Sequence, residues 1–209
     1  MEKWLCWILV VFLFPGSVAF AQSSWELKKD KDGIRIYSRT ANDSKFNELR
    51  AVFDLSGNFG QIRSILEDVS HYKDWVYSTS SSRLMERRSD SEMVYYSEIS
   101  VPWPLSNRDF CSDTRIWMDV GAGQLRISSR NLCDFTPLKD HLVRIPFLRA
   151  EWFISMPSPA SLHVEYTLAW NPGGGIPAWV ANLFCTTGPL KSFTELKKKM
   201  DLLNQKKSG

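Results

Sequence analysis

Three charged residues in the middle of the chain have the side-chain types that acid/base chemistry requires: Glu98, Arg108 and Asp109. Arg108 and Asp109 stand side by side near the end of the segment VPWPLSNRDF (101–110). A carboxylate near an arginine can transfer a proton, but in proteins such a group is more often a structural ion pair. We therefore predict that Arg108 and Asp109 fix a corner of the fold through hydrogen bonds and an ion pair, and we assign no catalytic residue.

The sequence lacks other catalytic and metal-binding signatures. His71, His141 and His163 stand far apart without ligand spacing, which argues against a zinc site. No P-loop, G-x-G-x-x-G or G-x-S-x-G pattern occurs, and the GGG at 173–175 is typical of a turn. A net charge of +3, without a stripe of basic and aromatic residues, is no nucleic-acid footprint. We expect no metal, no cofactor and no nucleic-acid partner.

The first residues have the pattern of a secretory signal. Lys3 precedes an apolar run over 4–14, and an A-x-A cleavage site ends at Ala21. The run is shorter than the about 20 residues that a membrane-spanning helix needs, although a retained anchor stays as the alternative. We predict a signal peptide over 1–21, a single mature domain over 22–209, and export to the bacterial periplasm.

Three cysteines remain in the mature chain: Cys111, Cys133 and Cys185. Cys111 and Cys133 lie symmetrically about a turn at 119–123, so a cross-strand disulfide between them is one possibility. Alternation of apolar residues instead places Cys111 on the outer face and Cys133 on the inner face, which would leave both thiols free. Both possibilities stay open.

Residue patterns predict the elements that must position these side chains. Alternation gives two half-buried strands near 34–37 and 48–55, and Asn58 then caps a helix. A short helix or turn follows over 70–78. Six further strands are predicted, at 83–88, 93–101, 108–119, 124–134, 142–154 and 162–170.

The final segment, 176–205, is predicted to be an amphipathic helix with Phe193, Leu196 and Met200 on its apolar stripe. Gly188-Pro189 predicts a kink in it or a short turn before it. A long antiparallel sheet needs a partner for its inner face, and this helix is the one large enough. We predict an α+β fold in which a curved antiparallel sheet grips the C-terminal helix.

Hydroxyl groups share the inner face of this sheet with aromatic residues. With Phe110 inward, alternation turns Ser112 and Thr114 the same way. Ser129 and Asn131 face inward on the next strand. A buried polar group without a partner costs about 1–3 kcal/mol, so such a wall suits a cavity that holds water or a largely apolar ligand. The alternative is a packed core in which the hydroxyls bond to one another or to the backbone.

Four segments together resemble the START family of steroidogenic-acute-regulatory-related lipid-transfer domains: DGIRIYSR, DVSHYKDW, VYYSEISVPWPLSNRDF and NPGGGIPAWVANLF. The resemblance covers nearly all of the mature chain and is nearest to the phosphatidylcholine transfer protein branch. It implies a helix-grip fold with an internal tunnel that takes one lipid. We expect a lipid-binding protein that carries the lipid between membranes (lipid transport) or senses it, without catalysis.

The ligand is less well defined by this resemblance. In the phosphatidylcholine carrier an aromatic cage holds choline. The matching positions here are Ser97, Phe110 and about Leu148, so most of the cage is missing. The arginine and aspartate that meet the phosphate fall near Tyr72 and Val76, so those charges are missing too. The resemblance therefore implies a ligand that carries few charges.

A sterol-like ligand stays open as well. The cavity arginine of sterol carriers falls on Thr114 here, and Arg115 next to it faces the other way by alternation. We predict transient membrane contact through a gate at the start of the C-terminal helix, hinged near Gly174-Gly175 and Gly188-Pro189. The predicted lipid-binding residues are Tyr95, Ser97, Phe110, Ser112, Thr114, Asn131, Trp152, Tyr166, Trp179, Leu183 and Phe184.

The alternative function is a helix-grip enzyme of the aromatase/cyclase type. Its acid/base pair would have to be Glu98 with Arg108, which alternation and the resemblance place at the wall or outside the tunnel. A third possibility is a module that binds a protein segment in the groove. The sequence does not indicate an oligomeric state.

Overall fold

The computed structural model of the protein describes residues 24–41 and 46–208. The predicted signal peptide lies outside these residues. The described chain forms two α-helices, α1 (Phe59–Glu67) and α2 (Ala178–Ser208), and a 3₁₀ helix over Val69–Asp74. It also forms ten strands: β1 (Glu26–Lys31), β2 (Ile34–Thr40), β3 (Asn47–Ser56), β4 (Thr79–Ser89), β5 (Glu92–Ile99), β6 (Asn107–Asp119), β7 (Gln124–Asn131), β8 (Leu142–Arg144), β9 (Phe147–Ser158) and β10 (Ser161–Asn171).

The strands belong to one sheet, in which nine follow the order β1-β2-β3-β10-β9-β7-β6-β5-β4. Neighbours along this path are antiparallel, whereas β8 pairs in parallel with the start of β6. On α2, Phe193, Leu196 and Met200 are buried, and Phe193 stacks on Phe53 of β3 with 4.7 Å between ring centroids. This architecture confirms the predicted α+β helix-grip fold.

The capped helix is also confirmed. The Asn58 side chain accepts a hydrogen bond from the Gln61 backbone at 3.1 Å, and the Gln61 side chain accepts one from the Asn58 backbone at 3.0 Å. Such a capping box satisfies two backbone donors that the first turn of a helix leaves without partners. Gln61 also donates to Asn204 at 2.8 Å, which ties α1 to the end of α2.

Two predicted elements differ in the structure. The strand expected over 142–154 is divided into β8 and β9, because Pro146 has no backbone N–H to donate to a ladder. The C-terminal helix runs through Pro189 without ending, so no separate turn precedes it. At Gly188 an added Cβ would lie 3.1 Å from the Tyr77 ring, so this glycine permits close packing.

Cys111, Cys133 and Cys185 are free thiols in the structure. Cys111 is on the outer face but buried, with its sulfur 3.4 Å from Thr136 Oγ1. Cys133 lies beyond Asn131, where β7 ends, and is half-buried. No helix within residues 24–41 and 46–208 is long and apolar enough to cross a membrane.

Candidate ligand-binding cavity

A cavity of about 260 Å³ lies between the inner face of the sheet and α2. Its wall is formed by side chains of β5, β6, β7, β9, β10, the 3₁₀ helix and α2. Arg108 and Ile116 both line it from β6. At about 3.3 Å per residue along a strand, these two positions are roughly 26 Å apart, so the wall extends along most of β6.

Aromatic rings form much of the wall. Trp152, Tyr166 and Phe193 contact one another, with ring centroids 4.7 Å apart for Trp152 and Tyr166 and 5.3 Å apart for Tyr166 and Phe193. Tyr95 meets Phe110 edge to face at 5.8 Å. Such contacts hold the rings in fixed orientations, which gives the cavity a defined apolar shape.

The structure brings six of the predicted lipid-binding residues to this wall: Tyr95, Ser97, Phe110, Thr114, Trp152 and Tyr166. Ser112 is fully buried opposite Tyr95 in the β5–β6 pairing but does not line the cavity. The side chains of Trp179, Leu183 and Phe184 lie outside the described part of the structure.

Asn131 also does not line the cavity, contrary to the prediction. Its amide nitrogen donates to the carbonyl of Pro146 at 2.9 Å, and its amide oxygen accepts from the backbone of Leu148 at 2.9 Å. The strand ends at this residue, and its side chain replaces the ladder contacts that the backbone no longer makes. Asn131 therefore joins the end of β7 to the start of β9.

The wall hydroxyls find partners within the protein. Thr114 and Ser129 hydrogen-bond to each other at 2.9 Å, and the Ser97 hydroxyl donates to the Ser81 carbonyl at 3.3 Å. The alternative expectation, that these hydroxyls satisfy one another, thus holds alongside a real cavity. They add little polarity to the surface that a ligand would meet.

Burial disfavours ionisation of three tyrosines and one cysteine on the cavity wall. Burial raises the pKa of Tyr95 to about 12, and it raises the pKa values of Tyr72 and Tyr166 above the ordinary tyrosine value. Burial also raises the pKa of Cys185, whose sulfur accepts a hydrogen bond from Trp170 Nε1 at 3.0 Å. These groups therefore remain protonated at neutral pH.

Arg108 is the one charged side chain on the wall that the described residues form. The residue is 3% exposed, and its Nη1 donates to the Ser106 carbonyl. Its Nε is buried and has no hydrogen-bond partner among the described residues. Burial lowers the pKa of its guanidinium.

The predicted ion pair between Arg108 and Asp109 does not form. Consecutive residues of a strand point to opposite faces, so Arg108 shares the inner face with Phe110 while Asp109 points outward. Asp109 instead accepts two hydrogen bonds from Arg144, at 2.8 Å from Nε and 3.0 Å from Nη2. Arg144 lies opposite Asp109 in the β6–β8 pairing.

The outer face carries a network around this pair. The Tyr96 hydroxyl lies 2.8 Å from a Glu98 oxygen and 3.1 Å from an Asp109 oxygen, and Lys139 donates to Glu98 at 2.6 Å. Burial alone would raise the pKa of Asp109, but hydrogen bonds from Arg144 and Tyr96 outweigh it and hold that pKa below its ordinary value. Hydrogen bonds from Lys139 and Tyr96 lower the pKa of Glu98. Glu98 and Asp109 are therefore both engaged in hydrogen bonds on the outer face, and Asp109 pairs with Arg144 and not with Arg108 as expected.

The sequence did not lead us to place Arg108, Tyr72 or Cys185 on the cavity wall, and the structure shows that all three line it. The signal for Arg108 was available, because it has the same parity as the inward-facing Phe110. No comparable signal exists for Tyr72 or Cys185, since alternation describes strands and not how the 3₁₀ helix and α2 pack on them. No cluster of metal-ligating side chains occurs in the part of the chain that the structure covers.

A sheet, a long C-terminal helix and an apolar cavity between them define a helix-grip protein with space for a ligand. No family model matches the chain. An uncharacterized protein of Pseudomonas aeruginosa is 27% identical over 190 residues, which cover 91% of this chain and 93% of that protein. The phosphatidylcholine transfer protein of Mus musculus is 28% identical over 176 residues, which cover 81% of this chain and 80% of that protein.

Solved structures agree with these relatives. A STAR-related lipid transfer protein from Xanthomonas axonopodis superposes with a TM-score of 0.78 at 29% identity, covering 85% of this chain and 98% of that one. An aromatase/cyclase from a Streptomyces species shares the fold alone, with a TM-score of 0.51 at 12% identity over 73% of this chain and 90% of that one. In sequence and in fold, the chain is therefore similar to START-domain lipid-transfer proteins.

Proposed function

We propose that the protein binds one lipid, or a similar largely apolar ligand, in its internal cavity and carries it between membranes without catalysing a reaction. The observation that supports this most is the apolar wall between the sheet and α2. Removing an alkyl chain from water yields about 0.8 kcal/mol per CH₂, so a chain held along such a wall needs few polar contacts. The similarity to proteins named for lipid transfer supports the same function.

The chemistry of the wall supports a carrier over an enzyme. Neither a carboxylate nor an imidazole lines the cavity within the described part of the chain. Glu98, the candidate acid, lies on the outer face and is engaged by Lys139 and Tyr96. A cyclase needs an acid and a base beside its substrate, and here the acidic groups are on the other side of the sheet.

Membrane contact is proposed at one end of the cavity. Val101 and Pro102 line the cavity, and Trp103 next to them is 92% exposed. Tryptophan is favoured at membrane interfaces, so this loop is suited to insertion while the cavity exchanges its ligand. Replacing Trp103 with Ala should slow ligand transfer between vesicles several-fold and leave the amount of ligand bound at equilibrium unchanged.

Opening of the cavity is proposed to involve the turn before α2. Gly173 and Gly174 both have positive φ angles, of 67° and 63°, and Gly175 has no neighbouring atom within 4 Å of an added Cβ. Movement of this turn would shift the first residues of α2 away from the sheet. The second hinge expected from the sequence, at Gly188-Pro189, is not part of this opening, because α2 is continuous there and Gly188 packs on Tyr77.

The location that we propose for the protein is the bacterial periplasm. The N-terminal pattern is that of a signal peptide, and both a Pseudomonas and a Xanthomonas protein are among the relatives. The triplet Asn42-Asp43-Ser44 matches the N-glycosylation pattern, which is equally compatible with eukaryotic secretion. The proposal of a bacterial compartment therefore rests on the bacterial relatives. Fractionation of a bacterial host, with mass measurement of the mature chain, should find a periplasmic protein that begins at Gln22.

The decisive experiment is native mass spectrometry of the purified protein together with a vesicle transfer assay. We expect a co-purified lipid, transfer between vesicles, and a marked loss of both in Ala150→Phe, which fills the cavity from β9. The control is Ala169→Phe on β10, because Ala169 does not line the cavity. Lipid-free wild-type protein that takes up no lipid from vesicles would contradict the proposed function, and turnover of a bound compound would favour the enzyme instead.

A further inference from the structure

The guanidinium of Arg108 is an unusual group to find on an apolar wall. It is charged, 3% exposed, and faces a cavity whose other walls, as far as the structure describes them, are uncharged. Within the part of the chain that the structure describes, only its Nη1 makes a hydrogen bond, to the Ser106 carbonyl. A buried charge without a counter-ion is costly, so proteins rarely keep one unless a partner is supplied.

The free edge of this guanidinium has a defined shape. Nε and Nη2 of an arginine form a planar fork that matches the two oxygens of a carboxylate or phosphate. Neither atom of Arg108 has a hydrogen-bond partner among the described residues. On the outer face, Arg144 uses the same two atoms to hold the Asp109 carboxylate, at 2.8 and 3.0 Å. The pair of Arg144 and Asp109 therefore shows, within this chain, that such a fork binds a carboxylate.

Space is available beside the fork. Gly174 lies in the turn before α2, and an added Cβ there would be 3.7 Å from Arg108 Nη2. A larger residue at this position would therefore place its side chain against the fork. The positive φ of 63° also favours glycine here, which keeps the backbone and not a side chain against the fork.

From this geometry we propose that the ligand carries an acidic group, a carboxylate or a phosphate, which Arg108 binds through Nε and Nη2. The inference rests on the proposed function, because it names the class of ligand that the same cavity takes. The acid group lies at the Arg108 end, and the alkyl chain runs along β6 toward Ile116.

The dimensions of the cavity specify the ligand further. Its volume of about 260 Å³ lies just below the 300–1,000 Å³ that is typical of pockets for drug-sized ligands. The part of its wall that β6 forms extends over roughly 26 Å, which exceeds the about 15 Å that one leaflet of acyl chains spans in a bilayer. A small volume beside a wall of this extent fits one chain with an acidic headgroup better than a lipid with two chains.

Matched probe pairs test the inference on the delipidated full-length mature protein. Palmitate is compared with hexadecanol, and palmitoyl lysophosphatidate with monopalmitoyl glycerol, so that each pair differs chiefly in its acidic group. Binding is measured at about pH 8 by displacement of a neutral fluorescent probe. Since a hydrogen bond to a charged group contributes roughly 1.5–3 kcal/mol, we expect the acid of at least one pair to bind about 10- to 100-fold more tightly. The pair that shows the preference identifies the carboxylate or the phosphate as the natural group.

Variants assign the preference to Arg108. Arg108→Gln should bind acid and neutral probe equally while its affinity for the neutral probe changes by less than about threefold, and Arg108→Lys should keep only part of the preference. Arg115→Gln is the control, because Arg115 is exposed on the outer face of the same strand. If Arg108→Gln does not fold, Arg108→Lys and the wild-type pairs still decide the question.

The outcomes separate this inference from the proposed function. Equal binding of the acid and neutral probes by the wild-type protein, or an acid preference that survives in Arg108→Gln, overturns the acid site and leaves the carrier function standing. Failure of every probe to bind overturns both.

Discussion

Two arginines on neighbouring strands differ in their hydrogen-bond partners and in the face of the sheet on which they lie. Arg144 of β8 lies on the outer face, where its fork holds Asp109, its Nη1 donates to backbone carbonyls, and the carboxylate also contacts Tyr96. Arg108 of β6 lies on the inner face, where its fork is without a protein partner in the described structure. The two residues stand only one register position apart, since Val143 is opposite Arg108 and Arg144 is opposite Asp109.

The contrast indicates a structural role for Arg144 and supports a ligand-binding role for Arg108. A fully hydrogen-bonded buried pair holds β8 against β6 and fixes the corner of the sheet, which is the role expected from the sequence for Arg108 and Asp109. A buried guanidinium whose Nε has no partner in the described structure contributes no such stability, and under our proposal it binds the acidic group of the ligand. Substitutions that remove the charge of Asp109 outside and of Arg108 inside should therefore change stability in opposite directions.

The largest effect is expected on the outer face. Asp109→Asn leaves Arg144 buried without its counter-charge, and we expect the free energy of unfolding to fall by about 3–5 kcal/mol. Urea denaturation measures this directly. Glu195→Gln is the control, because its pair with Lys198 is largely exposed and should contribute less than about 1 kcal/mol. A loss below 1 kcal/mol in Asp109→Asn would mean that the corner does not depend on this pair.

The same variant should alter the pH dependence of stability. The pKa of Asp109 is lower in the folded chain than in the unfolded one, so its contribution is complete above the unfolded value of about 3.9 and is lost as pH falls through the folded pKa. Wild-type protein should therefore lose stability more steeply than Asp109→Asn below about pH 4. Arg108 should add no slope there, because arginine stays protonated throughout that range.

A smaller effect of opposite sign is expected on the inner face. Arg108→Met replaces an unpaired buried charge with an apolar side chain of similar length, so the ligand-free protein should become more stable by about 1–3 kcal/mol. Arg115→Met on the outer face of the same strand should change stability by less than about 0.5 kcal/mol. Thermal unfolding with and without palmitate measures both the gain and the loss of ligand-induced stabilisation. Destabilisation of the ligand-free protein by more than 1 kcal/mol would show that Arg108 has a structural partner.

Removal of one hydroxyl from the outer network should cost less than removal of a charge. Tyr96→Phe takes away the group that lies near both Glu98 and Asp109, and we expect a loss of about 1–2 kcal/mol in urea denaturation. Tyr37→Phe on β2 serves as the comparison, with an expected change below about 0.5 kcal/mol. Equal effects in the two variants would remove Tyr96 from the network.

The smallest effect is expected from the paired hydroxyls of the cavity wall. Thr114→Val or Ser129→Ala alone leaves one hydroxyl without its partner and should cost about 1 kcal/mol, whereas the double variant should be nearly neutral. Ligand affinity in the double variant should stay within about threefold of the wild type, because these hydroxyls satisfy each other. A larger loss of affinity would make them ligand contacts comparable to Arg108.

The sequence by itself determined much of the frame. Alternation in 108–119 placed Phe110 and Thr114 inward, and helical spacing placed Phe193 on the buried stripe of the last helix, because these periodicities are local properties of a strand and a helix. The same local patterns carried the resemblance to the START family. They were less reliable at the ends of strands, where Asn131 leaves the ladder and bonds to backbone groups near Pro146.

Only the tertiary structure decided which charges meet. Arg144 is 35 residues from Asp109 in the chain, and it reaches the carboxylate because the short strand β8 pairs in parallel with β6. No local pattern encodes that pairing, whereas the adjacent Arg108 looked like the natural partner of Asp109. The pleat of a strand places neighbouring residues on opposite faces. Asp109 therefore pairs with Arg144 on the outer face, whereas Arg108 faces the cavity and has no carboxylate partner among the described residues.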